Sequence, residues 1–223
     1  MNDVLLVFAK VPRPGEVKTR LTPFLSPQEA ARLYDAFLRD ALDQYTRLEV
    51  DVQLHLAPPL PEEGFGVEED ERISIHGQEG ADLGARMAHA LETALETGHE
   101  RAVLIGTDHP TLPLAFVRRA FSSLEADDSI CIGPSDDGGF YLLGMTAVYP
   151  RLFEGMSYSH DRVFTETLAR MGTTDAALTV LPGWYDVDTP EALHRLLDDL
   201  ENPRIEAPAT RAVIEDLDLR ARS

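Results

Sequence analysis

Five short segments of this 223-residue chain concentrate residues able to do chemistry. Ala9 to Leu21 carries Lys10, Arg13, Lys18 and Arg20 around Gly15, four cations in an otherwise acidic protein, and the chain's only two lysines both lie there. Compact ammonium charges and guanidinium forks clustered on a loop suit phosphate oxygens. The spacing is neither GxxxxGK[ST] nor GxGxxG, which sets aside the P-loop and dinucleotide fingerprints. Gly106-Thr107-Asp108-His109-Pro110 and Tyr185-Asp186-Val187-Asp188-Thr189-Pro190 each bring an aspartate to the end of an apolar stretch just before a proline-marked segment. Asp108 and Asp188 could therefore converge on one Mg²⁺ or Mn²⁺, hard cations that take carboxylate oxygens plus substrate phosphates. His109 is expected to hydrogen-bond locally. Asp136-Asp137-Gly138-Gly139 reads as a turn whose glycines, Gly138 and Gly139, let a substrate approach the backbone and whose acids offer oxygen ligands or a general base, Asp137. Gln78, before a helix capped by Asp82, could read a nucleobase edge.

Those segments need a scaffold that brings them together. Val4 to Ala9 is an apolar run ended by a Pro/Gly-rich loop, as in a buried parallel strand. Ser26-Pro27-Gln28-Glu29 combines a capping box with proline at the first helical position, and apolar residues then recur at helical spacing through Leu42. Strands are expected over 50–57, 73–76, 102–106, 129–133, 140–145 and 178–181. Helices are expected from Asp82 to about His99, over 113–125, near 161–172 and from Pro190 to about Leu200; 58–72 reads as a loop. This alternation predicts an α/β, three-layer domain with a mostly parallel central sheet, spanning 1–202. The segment 203–223 reads as a tail that forms a strap, a lid or a dimer contact. In open α/β sheets ligands gather beyond the carboxyl ends of the strands, where all five segments fall.

A formal charge of −19 argues against nucleic acid or an anionic membrane as partner. No apolar run is long enough for a membrane span, and the expectation is a cytoplasmic protein, with a homodimer as one candidate assembly. The lone Cys131 lies in an apolar run and reads as a buried small hydrophobe rather than a nucleophile.

The run Lys18 to Ser26 resembles the start of 2-phospholactate guanylyltransferases. Over about residues 4–200, through the motifs at 8–21, 106–108, 136–139 and 186–190, the chain is similar to a GT-A transferase family associated with radical-SAM and selenium proteins. Molybdenum-cofactor guanylyltransferases and sugar-phosphate nucleotidyltransferases share that GT-A, nucleotide-diphospho-sugar transferase-like fold. The resemblance implies Lys18 and Arg20 on phosphates, Gln78 near the base, and Asp108 with Asp188 on a metal; Lys10, Gly15 and Asp136 would complete the nucleotide site. The first loop departs from these relatives in carrying Pro12 and Pro14 where theirs is glycine-rich. The expected activity is metal-dependent transfer of a nucleoside monophosphate from a triphosphate to a small phosphorylated acceptor. The alternatives are glycosyl transfer from a nucleotide sugar and non-catalytic nucleotide binding.

Overall fold

In a computed structural model of the chain, residues 2–60, 66–67, 71–158 and 160–222 are described; most of the expected loop at 58–72 lies outside them. The elements, in order, are β1 (Asp3–Ala9), α1 (Pro27–Tyr45), β2 (Asp51–Leu56), β3 (Ile73–Gly77), α2 (Leu83–Glu96), β4 (Arg101–Ile105), α3 (Leu114–Ser123), β5 (Ser129–Pro134), β6 (Phe140–Met145), α4 (Val163–Met171), β7 (Ala177–Val180), α5 (Pro190–Asp199), α6 (Pro208–Asp216) and α7 (Leu219–Arg222). The strands form one sheet in the order β3-β2-β1-β4-β6-β5-β7. Every pairing is parallel except those of β6, which runs antiparallel to both β4 and β5.

The pleat of β1 explains the layers. Leu5 and Val7 point to the side covered by α1 and α3, where they join Leu38, Leu42, Val117 and Phe121. Val4 and Leu6 point to the other side, against Met87, Leu91 and Ala94 of α2 and Met171 of α4. Alternate residues of one strand feed two separate cores, so β1 must be apolar throughout. Cys131 belongs to the first of these cores, with no exposed surface, and burial pushes its thiol up to about 12.

Helix starts follow the sequence closely. The Ser26 side chain accepts from Glu29 N–H while the Glu29 carboxylate accepts from Ser26 N–H, and the Asp82 and Thr189 side chains cap α2 and α5 by accepting from Ala85 N–H and Ala192 N–H. The α2 helix stops at Glu96, three residues before the expected end, because the chain turns through Gly98 at a φ of 103°.

The tail is helical and packed. Ala207, Ile214, Leu217 and Leu219 complete a third apolar cluster with Leu33 and Phe37 of α1 and Leu193, Leu196 and Leu197 of α5. Asp40 on α1 is buried, and its two oxygens accept from Ala209 N–H at 2.9 Å and Thr210 N–H at 2.8 Å. The carboxylate thus satisfies the open donors at the start of α6. No helix among the described residues is long and apolar enough to cross a membrane. Replacing Asp40 by alanine leaves those donors buried without an acceptor, and urea unfolding should show a loss of about 2 kcal/mol with the far-UV spectrum retained.

Candidate functional site

A cleft of about 610 Å³ opens at the carboxyl ends of the parallel strands. The β1–β4 pairing sets the loops after these two strands side by side, which brings residue 18 to residue 108. The segment 184–188 arrives from the other side. Trp184 bridges to Ser135, Asp136 N–H donates to the Trp184 carbonyl at 2.9 Å, and Val187 N–H donates to the Asp108 carbonyl at 2.9 Å. With Val187 bonded to Asp108, Asp188 has little freedom, and the two aspartates meet.

They meet on Lys18. Its ammonium contacts Asp108 Oδ1 and lies 2.8 Å from Asp188 Oδ1. The lysine side chain is 2% exposed, while those of Asp108 and Asp188 are 41% and 37% exposed. The Tyr34 and Phe37 rings stand 5.7 and 5.5 Å from the ammonium. Burial alone would depress the lysine pKa, but the two carboxylates outweigh it and hold the group well above its ordinary value. Lys18 adopts a left-handed backbone with φ 49° and ψ 36° at the start of the short 3-10 turn Thr19–Leu21. A non-glycine residue in that region carries strain, here offset by two ionic contacts.

A second chain of contacts lies beside it. His109 is buried, its Nδ1 is 2.8 Å from Asp186 Oδ1, and Ser135 Oγ donates to Asp186 Oδ2. Burial opposes protonation of His109, but the bond to Asp186 and the charges of Asp186 and Asp108 win, raising the imidazole. Burial pushes the Asp186 carboxyl upward, and His109, Ser135 and Lys18 together bring it below its ordinary value. Tyr34 ties the floor together: its hydroxyl accepts from Lys10 N–H at 2.9 Å and lies 3.1 Å from Thr107 Oγ1.

Of the residues singled out in the sequence, Lys10, Lys18, Arg20, Gln78, Asp108, Asp137, Gly139 and Asp188 line the cleft. Gln78 anchors its amide nitrogen on the His55 carbonyl at 2.9 Å. Asp137 accepts from Gly139 N–H at 2.8 Å, and burial, with the fields of Asp186 and Asp188, raises its proton affinity. Three residues stand elsewhere. Gly15, with φ 82°, sits at the exposed tip of the first loop. Asp136 pairs with Arg195 at 2.7 Å on the surface. Gly138, with φ 88°, seats the hairpin against the start of α4, where a Cβ would overlap the Asp161 carbonyl. The structure adds Tyr34 and Asp186 and corrects His109, expected to hydrogen-bond locally, whose Nδ1 instead meets Asp186 far along the chain; the Asp-Val-Asp spacing could have signalled Asp186, while nothing local in sequence marks Tyr34.

The donor set can be weighed against a divalent metal. Among the described residues no group of three or more His, Cys, Asp or Glu converges on one point. Asp108 and Asp188 do converge, since both bind one cationic atom, and both side chains keep exposed surface on the cleft. Two carboxylates facing an open cleft suit Mg²⁺ or Mn²⁺, whose remaining positions would be taken by phosphate oxygens and water.

The fold is of the GT-A, nucleotide-diphospho-sugar transferase-like type, a mostly parallel sheet covered on both faces with a carboxylate and lysine cluster at its switch point. The chain belongs to the family described as an uncharacterized protein conserved in bacteria (DUF2064), whose profile matches residues 41–160. A solved structure of a protein provisionally assigned as a nucleotide-diphospho-sugar transferase, from Desulfovibrio desulfuricans G20, is 32% identical, with a TM-score of 0.90 over 98% of this chain and 96% of that one. The fold is also shared with 4-diphosphocytidyl-2C-methyl-D-erythritol synthase, at 16% identity and a TM-score of 0.52 over 89% of this chain and 98% of that one. No curated protein matches the sequence.

The His109–Asp186 pair sets a pH signature. A raised imidazole contributes stability that is full below its ordinary 6.5 and is lost as pH rises through the folded value; a lowered carboxyl contributes above its ordinary 3.8 and fails as pH falls through the folded value. The stability difference between wild type and His109→Gln, from urea titrations across pH, should be largest between pH 4 and 6.5 and shrink on both sides.

Proposed function

We propose that this protein is a nucleotide-dependent transferase that moves a sugar from a nucleotide diphosphate sugar to a hydroxyl of a small acceptor. The observation that carries this reading is Asp137: an exposed carboxylate on the β5–β6 turn that lines the same cleft as Asp108 and Asp188, held by Gly139 N–H at 2.8 Å and of raised proton affinity. An acceptor phosphate is already an anion and needs no base, whereas a hydroxyl must lose its proton as it attacks. A carboxylate with increased proton affinity suits the second task. In this reaction the acceptor oxygen bonds to the anomeric carbon, the bond from that carbon to the diphosphate breaks, Asp137 takes the hydroxyl proton and a nucleoside diphosphate leaves.

The other residues fit supporting roles. Lys10 and Arg20, exposed at the cleft edge, face the anionic part of the donor. Asp108 and Asp188 would hold a divalent cation, which when bound offsets charge on the departing diphosphate. Gln78 and Ala57, at the ends of β3 and β2, line the part of the cleft assigned to the base.

Nucleotidyl transfer, the first expectation from sequence, stands second. In its favour are the two exposed cations, Lys10 and Arg20. Against it, Lys18 is committed to two carboxylates instead of a phosphate chain, and the first loop has prolines at 12 and 14 where a triphosphate cradle uses glycine N–H groups. A panel of nucleotide sugars and nucleoside triphosphates with Mg²⁺ separates the two. Release of free nucleoside diphosphate from a nucleotide sugar is expected; pyrophosphate from a triphosphate, with every nucleotide sugar inert, would overturn the reading. Asp137→Asn should lower kcat roughly 100-fold or more, while the thermal shift produced by the donor stays as in wild type.

A further inference from the structure

Lys18 has the surroundings of a bound metal ion and not those of a phosphate-binding lysine. Its ammonium touches one oxygen of each carboxylate, in both cases Oδ1, with two aromatic rings beside it and almost no exposed surface. Neither Oδ2 accepts a hydrogen bond among the described residues, and the two aspartate side chains remain about two-fifths exposed on the cleft. The lysine therefore holds the carboxylates from behind and leaves their outer edges free. Without it, two like charges would face each other at the end of the sheet and repel.

We propose that Lys18 is a resident cation that positions Asp108 and Asp188 and, by cancelling one of their two negative charges, makes the pair a weak site for a free divalent cation. A fixed positive charge a few ångströms from an incoming divalent ion opposes its binding, and the pair presents one net negative charge where it would otherwise present two. Lys18 is thus a positioning residue whose charge sets metal affinity. This assignment rests on the two carboxylates being the metal ligands; it does not depend on which donor the cleft takes.

Titration with Mn²⁺ alone, followed by the paramagnetic resonance signal of the free ion at constant ionic strength, tests it without any nucleotide. Lys18→Met should bind Mn²⁺ at least about tenfold more tightly than wild type, and its melting temperature should rise with Mn²⁺ but not with sodium chloride of equal ionic strength. Lys18→Arg, which keeps the charge, should match wild type. Equal affinity of wild type and Lys18→Met overturns the proposal, as does a Lys18→Arg variant binding as tightly as Lys18→Met. If Lys18→Met does not fold without metal, recovery of its far-UV signal on adding Mn²⁺ supports the proposal and failure to recover overturns it. Failure of every nucleotide sugar to bind or react would sink the functional reading and leave this metal result standing.

Discussion

One buried ammonium organises the working end of this protein. Lys18 joins the loop after β1, the loop after β4 and the approach to α5, three segments far apart in sequence. A lysine enclosed this deeply needs counter-charges, and two carboxylates at a strand end need a cation. Each requirement is met by the other. The left-handed backbone at Lys18 is tolerated on the same account, because the turn that follows aims the side chain inward.

The sheet order makes that meeting possible. Placing β1 between β2 and β4 puts the first loop beside Asp108, and inserting β6 antiparallel lets a turn of only a few residues, Ser135 to Gly139, return to the cleft. The Ser135 hydroxyl then reaches Asp186, and Asp186 holds His109. The result is an acidic floor restrained by protonated partners and a rim of exposed cations, within a chain whose net charge is −19. Restraint of this kind keeps the carboxylates in place before any ligand arrives, which is what electrostatic preorganisation requires.

Much of this was legible in the residues. Caps at Ser26, Asp82 and Thr189 announce their helices because a side-chain oxygen beside open N–H groups is a local effect. The apolar run at Val4 to Ala9 announces a buried strand for the same reason, and the repeated arrangement of aspartate before proline pointed to Asp108 and Asp188 together. What sequence could not show is allegiance across the fold. Lys18 read as a phosphate ligand because its neighbours in the chain are cations, whereas its neighbours in space are carboxylates. Gly138 read as room for a ligand, yet it makes room for the backbone of residue 161. Asp136 and Asp137 are adjacent and chemically alike, and only the twist of the hairpin decides that one faces Arg195 and the other the cleft.

The contact between α1 and α6 has a bearing on how the protein is made. Asp40 and the amides it caps are 169 and 170 residues apart, so during synthesis α1 emerges early with one apolar flank and a capping carboxylate that have no partners. At typical elongation rates of about 5–20 residues per second, that flank waits roughly ten seconds or longer for residues 207–219. The strands and α2 can condense on the inner side of α1 meanwhile, but its outer side closes only once residues 207–219 have been made. A ribosome stalled before residue 207 would therefore display Leu33, Phe37 and the α5 leucines with part of their cover missing, a natural target for chaperones that bind nascent chains.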